Sequence, residues 1–263
     1  MNILDEIANK TKERIAKEKE IESLDLIKDK CKSIYLHEND MFSFERALQK
    51  DAFSIIAECK KASPSMGIIC NNYDYLNIAK DYEKANATCI SVLTEPYYFK
   101  GSYKHLYDIV HTISIPVLQK DFFIDEYMIY KAYKNGANAI LLIVSLLDKN
   151  TLLKYLSLCN KLGLSALVET HNANEINMAI QCGARLIGVN NRDLTSFLVN
   201  TNTALNLKHM VPDNITFVSE SGIKDRSDIE KLIDNGIKVA LIGSAIMTAK
   251  DKCKKIKELK GEL

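Results

Sequence analysis

The segment Ser54-Ile55-Ile56-Ala57-Glu58-Cys59-Lys60-Lys61-Ala62-Ser63-Pro64-Ser65 decides the fold. A short apolar, β-branched run ends abruptly on a carboxylate and two ammonium groups, and a Ser-Pro-Ser turn follows. The same device recurs at Val117-Leu118-Gln119-Lys120, Ala166-Leu167-Val168-Glu169, Ile187-Gly188-Val189-Asn190 and Phe217-Val218-Ser219-Glu220. An isolated buried charge is costly. Five segments that each end on a polar group therefore imply one shared polar site where strands stop.

Outward from this segment the chain alternates. Apolar runs predict strands at 54–58, 89–93, 116–120, 139–143, 165–169, 186–190, 216–220 and 239–242. Amphipathic stretches between them predict helices over 75–84, 125–135, 149–161, 173–182, 227–234 and 251–259, several ending near a glycine (Gly136, Gly163, Gly183, Gly236) suited to a left-handed cap. Continuous apolar strands alternating with helices indicate a parallel sheet covered on both faces. The strand ends recur about every 26 residues, which suits a closed (β/α)8 barrel. The alternative is a doubly wound open sheet, which usually carries a glycine-rich fingerprint after its first strand; none is present. Residues 1–53 hold a basic amphipathic helix, roughly 1–20, and a second helical piece near 42–49. They read as an N-terminal helical extension packed on the barrel of residues 54–263, within one domain, since no Gly-, Pro- or Ser-rich linker marks a boundary.

The 263 residues carry 35 basic and 34 acidic side chains, a formal net charge of +1. Such balance gives no electrostatic reason to expect a nucleic acid or an anionic membrane as partner. The seven cysteines have no CxxC spacing and read as free thiols of a reducing, cytoplasmic compartment. The five histidines (His37, His105, His111, His171, His209) form no metal-binding pattern. The N-terminus does not read as a signal peptide, and the longest apolar run, near 139–147, is too short to span a bilayer.

In a parallel barrel all C-terminal strand ends share one face. That gathers Glu58, Lys60, Lys120, Glu169, Asn190 and Glu220 around a common mouth. Side chains alternate along a strand, so Glu58 and Lys60 point to one side and Cys59 to the other; Asn190 and Arg192 share a side if the strand geometry continues that far. A lysine acting as general acid near neutral pH needs a lowered pKa, which a neighbouring cation favours and a facing carboxylate opposes. Lys120 with Lys60 nearby meets that need; the bland reading is a salt bridge from Lys120 to Glu169 or Glu58. Ser221-Gly222 and Gly243-Ser244 follow the last two strands, where barrels often bind phosphate through backbone N–H groups. Phe99 and Phe122 follow the second and third strands and wall an aromatic ring or simply pack the loops.

Six blocks together resemble the indole-3-glycerol phosphate synthase family over nearly the whole chain: residues 56–65, Ser91-Val92-Leu93-Thr94-Glu95 with Phe99 and Gly101-Ser102, Leu118-Gln119-Lys120-Asp121-Phe122, Leu167-Val168-Glu169-Thr170-His171, residues 187–194 ending Asn190-Asn191-Arg192-Asp193-Leu194, and Ser219-Glu220-Ser221-Gly222-Ile223. The resemblance implies a cofactor-free and metal-free lyase. It would cyclise 1-(2-carboxyphenylamino)-1-deoxyribulose 5-phosphate, releasing carbon dioxide and water. It implies Lys120 as general acid on the ketone oxygen, Glu58 with Lys60 as proton handlers, Glu169 as base or stabiliser of positive charge, and Asn190 as orienter of hydroxyls. Lys60 would also pair with a substrate anion. Acid and base roles stay undivided between Lys120 and Lys60, and between Glu58 and Glu169. Ser63, Gly222, Gly243 and Ser244 would take the phosphate. Phe99 and Phe122 would hold the anthranilate ring, with Arg192, Glu220 and Ser221 completing the wall.

The chain departs from the family at Met66, where Lys or Arg is common, at Gly243-Ser244-Ala245, and at Cys59. Its length leaves no room for a fused isomerase barrel and implies a monofunctional enzyme; no obligate protein partner is expected. Two other readings compete: an aldolase using Lys120 as Schiff-base nucleophile, and a non-catalytic phosphate-binding barrel. On the lyase reading, Lys120→Ala should abolish turnover and leave the fold intact.

Overall fold

All eight predicted strands form, and they pair in chain order into a closed parallel barrel. The computed structural model describes residues 3–34, 40–193 and 197–263. His37, Leu194 of the fifth motif and the first two residues of the predicted N-terminal helix lie outside the described residues. The strands are β1 (Ser54–Cys59), β2 (Cys89–Leu93), β3 (Val117–Lys120), β4 (Ala139–Ile143), β5 (Ser165–Thr170), β6 (Leu186–Asn190), β7 (Thr216–Glu220) and β8 (Val239–Ile242). β1 is hydrogen-bonded to β8 as well as to β2, so the sheet has no edge and the open-sheet alternative falls. Strand β3 starts after Pro116, which has no N–H to give to the ladder.

Period-two alternation sorts the strand residues into two cores. Ile55, Ala57 and Cys59 face the surrounding helices, as do Val92, Val168 and Val189. Ile56, Leu118, Leu141, Leu167, Leu186, Val218 and Leu241 fill the barrel interior. Each fully buried side chain of this size contributes roughly 2 kcal/mol. Two residues further along the inward rows stand Glu58, Lys120, Glu169 and Glu220. The pleat that packs the interior therefore also aims the charged groups into the mouth.

Helices α1 (Ile3–Ile21), α2 (Leu24–Lys32) and α3 (Ser43–Leu48) precede the barrel. The rest are α4 (Tyr75–Lys84), α5 (Tyr103–Val110), α6 (Glu126–Lys134), α7 (Lys149–Leu162), α8 (Ala173–Gln181), α9 (Asn202–Leu207), α10 (Arg226–Asp234), α11 (Ser244–Met247) and α12 (Lys252–Lys260). Asp125, Asp148, Asn172 and Asp225 each cap a helix by accepting an N–H of its first turn, and Gly163 ends α7 at φ 69°. Helix α2 was not legible because only Ile27 and Cys31 of its nine residues are buried. Helices α9 and α11 and the hairpin Ala62–Ser63/Gly67–Ile68 are too short to show a period.

Helix α1 buries Leu4, Ile7, Ala8, Thr11, Arg14 and Ile15, one face of a 3.6-residue repeat. It is tied to the barrel by Arg14 to Asp121, Lys19 to Asp125 and Glu18 to Lys131. Phe44 and Leu48 of α3 belong to the interior core. Glu45 of the same helix takes two hydrogen bonds from Arg185 at 2.9 and 3.0 Å.

Candidate active site

Lys120 stands at the centre of the mouth. Its Nζ donates to Glu220 Oε2 at 2.8 Å and lies 3.7 Å from Glu58 Oε2 and 3.9 Å from Glu169 Oε2. Lys60 Nζ pairs with the other oxygen of Glu58 at 2.6 Å. Groups from β1, β3, β5 and β7 thus form one ion cluster, and the Glu side chains in it are almost wholly buried.

The electrostatics correct one expectation. Burial opposes the charged form of Lys120, but Glu220, Glu58 and Glu169 outweigh it and hold the ammonium far above its ordinary pKa. Lys120 is therefore a firmly protonated lysine, not one tuned toward neutrality by Lys60. For Glu58, burial favours the neutral acid, yet Lys60 and Lys120 overcome it and hold the carboxyl below its usual range. Glu220 goes the other way. Burial raises it, Lys120 only partly offsets that, and Glu169 adds repulsion, so it is pushed up to about 7. Its Oε1 is buried without a hydrogen-bond partner among the described residues. Three carboxyls crowd one central ammonium, and Glu220 is the one whose proton affinity rises.

A cleft of about 710 Å³ opens above the cluster. Glu58, Lys60, Ser63, Phe99, Lys120, Phe122, Glu169, Asn190, Arg192, Ser221, Gly222, Gly243 and Ser244 all line it. Glu220, only 1% exposed, lies beneath. The Phe99 and Phe122 rings stand 6.0 Å apart at 41°. Asn190 Oδ1 accepts the Arg192 N–H at 3.0 Å, and Arg192 Nη1 donates to the Phe197 carbonyl at 3.0 Å. β6 stops at Asn190, and Arg192 continues only as an isolated bridge to Val199.

Ser221 adopts φ 66° and Gly222 φ 89°. Left-handed backbone at a serine costs of the order of 1 kcal/mol and tends to persist at functional turns. Gly243 serves a purpose the sequence did not reveal. A Cβ there would run into Glu58 Oε1 and sit 3.0 Å from Lys60 Nζ. The glycine thus makes room for the Glu58–Lys60 pair, whatever anion its backbone also meets.

Several positioning residues escaped the sequence reading. Asp121 accepts two hydrogen bonds from Arg14 at 3.0 Å, one from the Thr94 hydroxyl at 2.7 Å and one from the Phe122 N–H at 2.8 Å. It ties α1 to the loop carrying Phe122. Glu95 accepts the N–H groups of Tyr97, Tyr98 and Phe99, which shapes the loop that presents Phe99. Asn191 accepts from the Ala204 N–H and donates to Ser219 Oγ and the Ser221 carbonyl, which ties the segment after β6 to α9, to β7 and to the turn after β7. Ile3, Leu4 and Ile7 of α1 add apolar wall. Arg14 was detectable as the one arginine in the buried stripe of α1; the others had no periodic signal.

A profile of the indole-3-glycerol phosphate synthase family matches residues 4–259. The chain belongs to the indole-3-glycerol phosphate synthase family. The synthase of Ruminiclostridium cellulolyticum is 45% identical over 259 residues, 98% of this chain and 99% of its own. That of Lacticaseibacillus paracasei is 47% identical over 251 residues, 95% of each chain. Among solved structures, a 3-hexulose-6-phosphate synthase superposes with a TM-score of 0.65 at 16% identity, over 80% of this chain and 99% of its own. That likeness concerns the barrel fold alone. Indole-3-glycerol phosphate synthases are carboxy-lyases of tryptophan biosynthesis, as the sequence blocks implied.

Proposed function

We propose that this chain converts 1-(2-carboxyphenylamino)-1-deoxyribulose 5-phosphate to indole-3-glycerol phosphate, carbon dioxide and water. The single observation that carries the mechanism is the Lys120 ammonium facing Glu58, Glu169 and Glu220 within 3.9 Å beneath the aromatic-walled cleft. Phe99 and Phe122 hold the anthranilate ring. The phosphate rests on Ser63 and on the backbone at Gly222, Gly243 and Ser244. Arg192 and Ser221 border the remaining wall.

The alkoxide that develops as the carboxyl-bearing ring carbon attacks the ketone carbon is itself strongly basic, so even the firmly held Lys120 proton passes to that oxygen. Carbon dioxide then leaves and returns its bonding electrons to the ring. Glu169 stabilises the positive charge that develops meanwhile. Glu58, held ionised by its two lysines, takes a proton from the methylene carbon of the new ring in the dehydration, and Lys120, once reprotonated, gives one to the hydroxyl, which leaves as water. Glu220, with its raised proton affinity and 2.8 Å contact, supports the return of a proton to Lys120. Environments that push neighbouring groups in opposite directions assign acid and base this way. Asn190 orients a hydroxyl. Lys60 fixes Glu58 and meets a substrate anion.

A Schiff-base aldolase needs a neutral lysine amine. The strongly raised proton affinity of Lys120 weighs against that reading. A mere phosphate binder has no use for the ion cluster. We also read residues 1–53 as part of the catalytic unit rather than a separate domain, because Arg14 reaches Asp121 and α1 lines the cleft. Among the described residues no helix is long and apolar enough to cross a membrane; a cytoplasmic location accords with the chemistry. The test is direct: the purified chain, given the anilino-deoxyribulose phosphate alone, forms the fluorescent indole product. Absence of product, or borohydride trapping of Lys120 on a sugar phosphate, would overturn the proposal.

A further inference from the structure

His171 sits between two carboxylates. Its Nδ1 is 3.2 Å from Glu175 Oε2, and its Nε2 is 3.5 Å from Glu169 Oε1. The Nε2 atom is buried and has no hydrogen-bond partner among the described residues. Glu175, in the first turn of α8, is itself fixed: Oε2 accepts the His171 N–H at 2.8 Å and Oε1 accepts from Asn172 Nδ2 at 2.7 Å. A neutral imidazole has one N–H and one lone pair. In either tautomer the lone pair would face a carboxylate. Only the imidazolium offers a donor to both.

We propose that His171 is a positioning residue: clamped by Glu175, its imidazolium donates from Nε2 to Glu169 Oε1 and fixes the carboxylate that faces the substrate. This rests on the assignment of Glu169 to the reaction. The 3.5 Å separation is a contact that tightens to a hydrogen bond when substrate engages Glu169, as catalytic contacts commonly do. The other charged groups around the pair are Glu220 from β7, and Lys120 from β3, which is 3.9 Å from the second Glu169 oxygen. Burial favours neutral His171, but Glu175, Glu169 and Glu220 outweigh it and hold its proton above the ordinary range. The folded-state affinity is raised, so the clamp is closed below the His171 titration and opens as pH rises through it.

The first test needs no substrate. In the full chain with isotope-labelled histidine, the His171 ring resonance, assigned by its loss in His171→Ala, should titrate above 6.5. In Glu175→Gln it should titrate at lower pH than in wild type, because one facing anion is gone. The second test is kinetic. His171→Ala should lower kcat by about tenfold to a hundredfold while KM stays within about twofold, the mark of a misaligned catalytic group. Wild-type kcat should fall as pH rises through the His171 titration. That limb should vanish in His171→Ala and move to lower pH in Glu175→Gln. His171→Gln keeps one N–H donor for Glu169 and should recover part of kcat without the limb. The proposal is overturned if His171 titrates at or below 6.5, or if His171→Ala scales kcat equally at every pH. A chain that made no product at all would sink the catalytic reading, and the resonance titration would still decide the pairing.

Discussion

Replacing Glu220 by Gln tests the charge economy of the mouth. Glu220 is 1% exposed, and burial against Glu169 moves its carboxyl from an ordinary 4.5 to about 7 despite the Lys120 contact at 2.8 Å. A group whose folded pKa is raised contributes stability that is complete below its unfolded value and is lost as pH rises through the folded one. At about 1.4 kcal/mol for each tenfold change in proton affinity, the step from 4.5 to about 7 amounts to about 3 kcal/mol. Wild type should therefore lose about 3 kcal/mol through this group between about pH 4.5 and about pH 8.5. Glutamine fills the same space, can still accept from Lys120 and does not titrate. In urea unfolding with matched m-values, the stability of Glu220→Gln relative to wild type should climb by that amount across the range, while turnover at neutral pH falls. A difference between the two proteins that is flat with pH would refute the shared-proton account.

Removing Lys120 should do more than stop turnover. Lys120→Ala leaves Glu220 buried with no paired cation among the described residues, Glu169 with His171 only, and Glu58 with Lys60 only. Loss of one partner of a buried pair costs about 3–5 kcal/mol, so the unfolding midpoint should fall together with the loss of product formation; the sequence alone led to the expectation of an unaffected fold. Arg14→Ala should cost about 3 kcal/mol, the low end of that range, because Asp121 keeps the Thr94 hydroxyl and the Phe122 N–H; an unchanged melting temperature would contradict the clamp. Gly243→Ala should lower kcat/KM at least about tenfold, because its Cβ needs the space of Glu58 Oε1 and crowds Lys60. Steady-state kinetics with near-wild-type values would show that the pair can shift without harm.

The strands and the groups at their ends were legible because one rule, alternation with period two, governs both. Ile56 packs inside the barrel, so Glu58 must point into its mouth; Leu118 does the same for Lys120 and Leu167 for Glu169. What failed to show was whatever depends on the sum of several neighbours. Lys60 is visible in the sequence beside Glu58, but the local reading gave it influence over Lys120 that three carboxylates override. Gly243 read as a phosphate turn, yet its side-chain hydrogen is demanded by a residue on β1. Asp121 stood inside a quoted block without a task, because its partner Arg14 lies 107 positions away. His171 was one of five scattered histidines until the turn into α8 brought Glu175 against its ring.

These separate observations converge on how the site takes in an anion. Three carboxyls face two ammoniums, and Glu58 is drawn to its lysines while Glu220 retains a share of a proton. A phosphorylated, carboxylated substrate brings more negative charge into this crowd. The least costly response is for Glu220 to take up the remaining proton, since it already lies near the balance point and its Oε1 has no competing partner. Proton uptake on binding would then load the group that touches Lys120, just before Lys120, in the proposed mechanism, gives a proton away. The cluster that looks like an electrostatic burden in the resting enzyme becomes, on this account, the store from which its general acid is replenished.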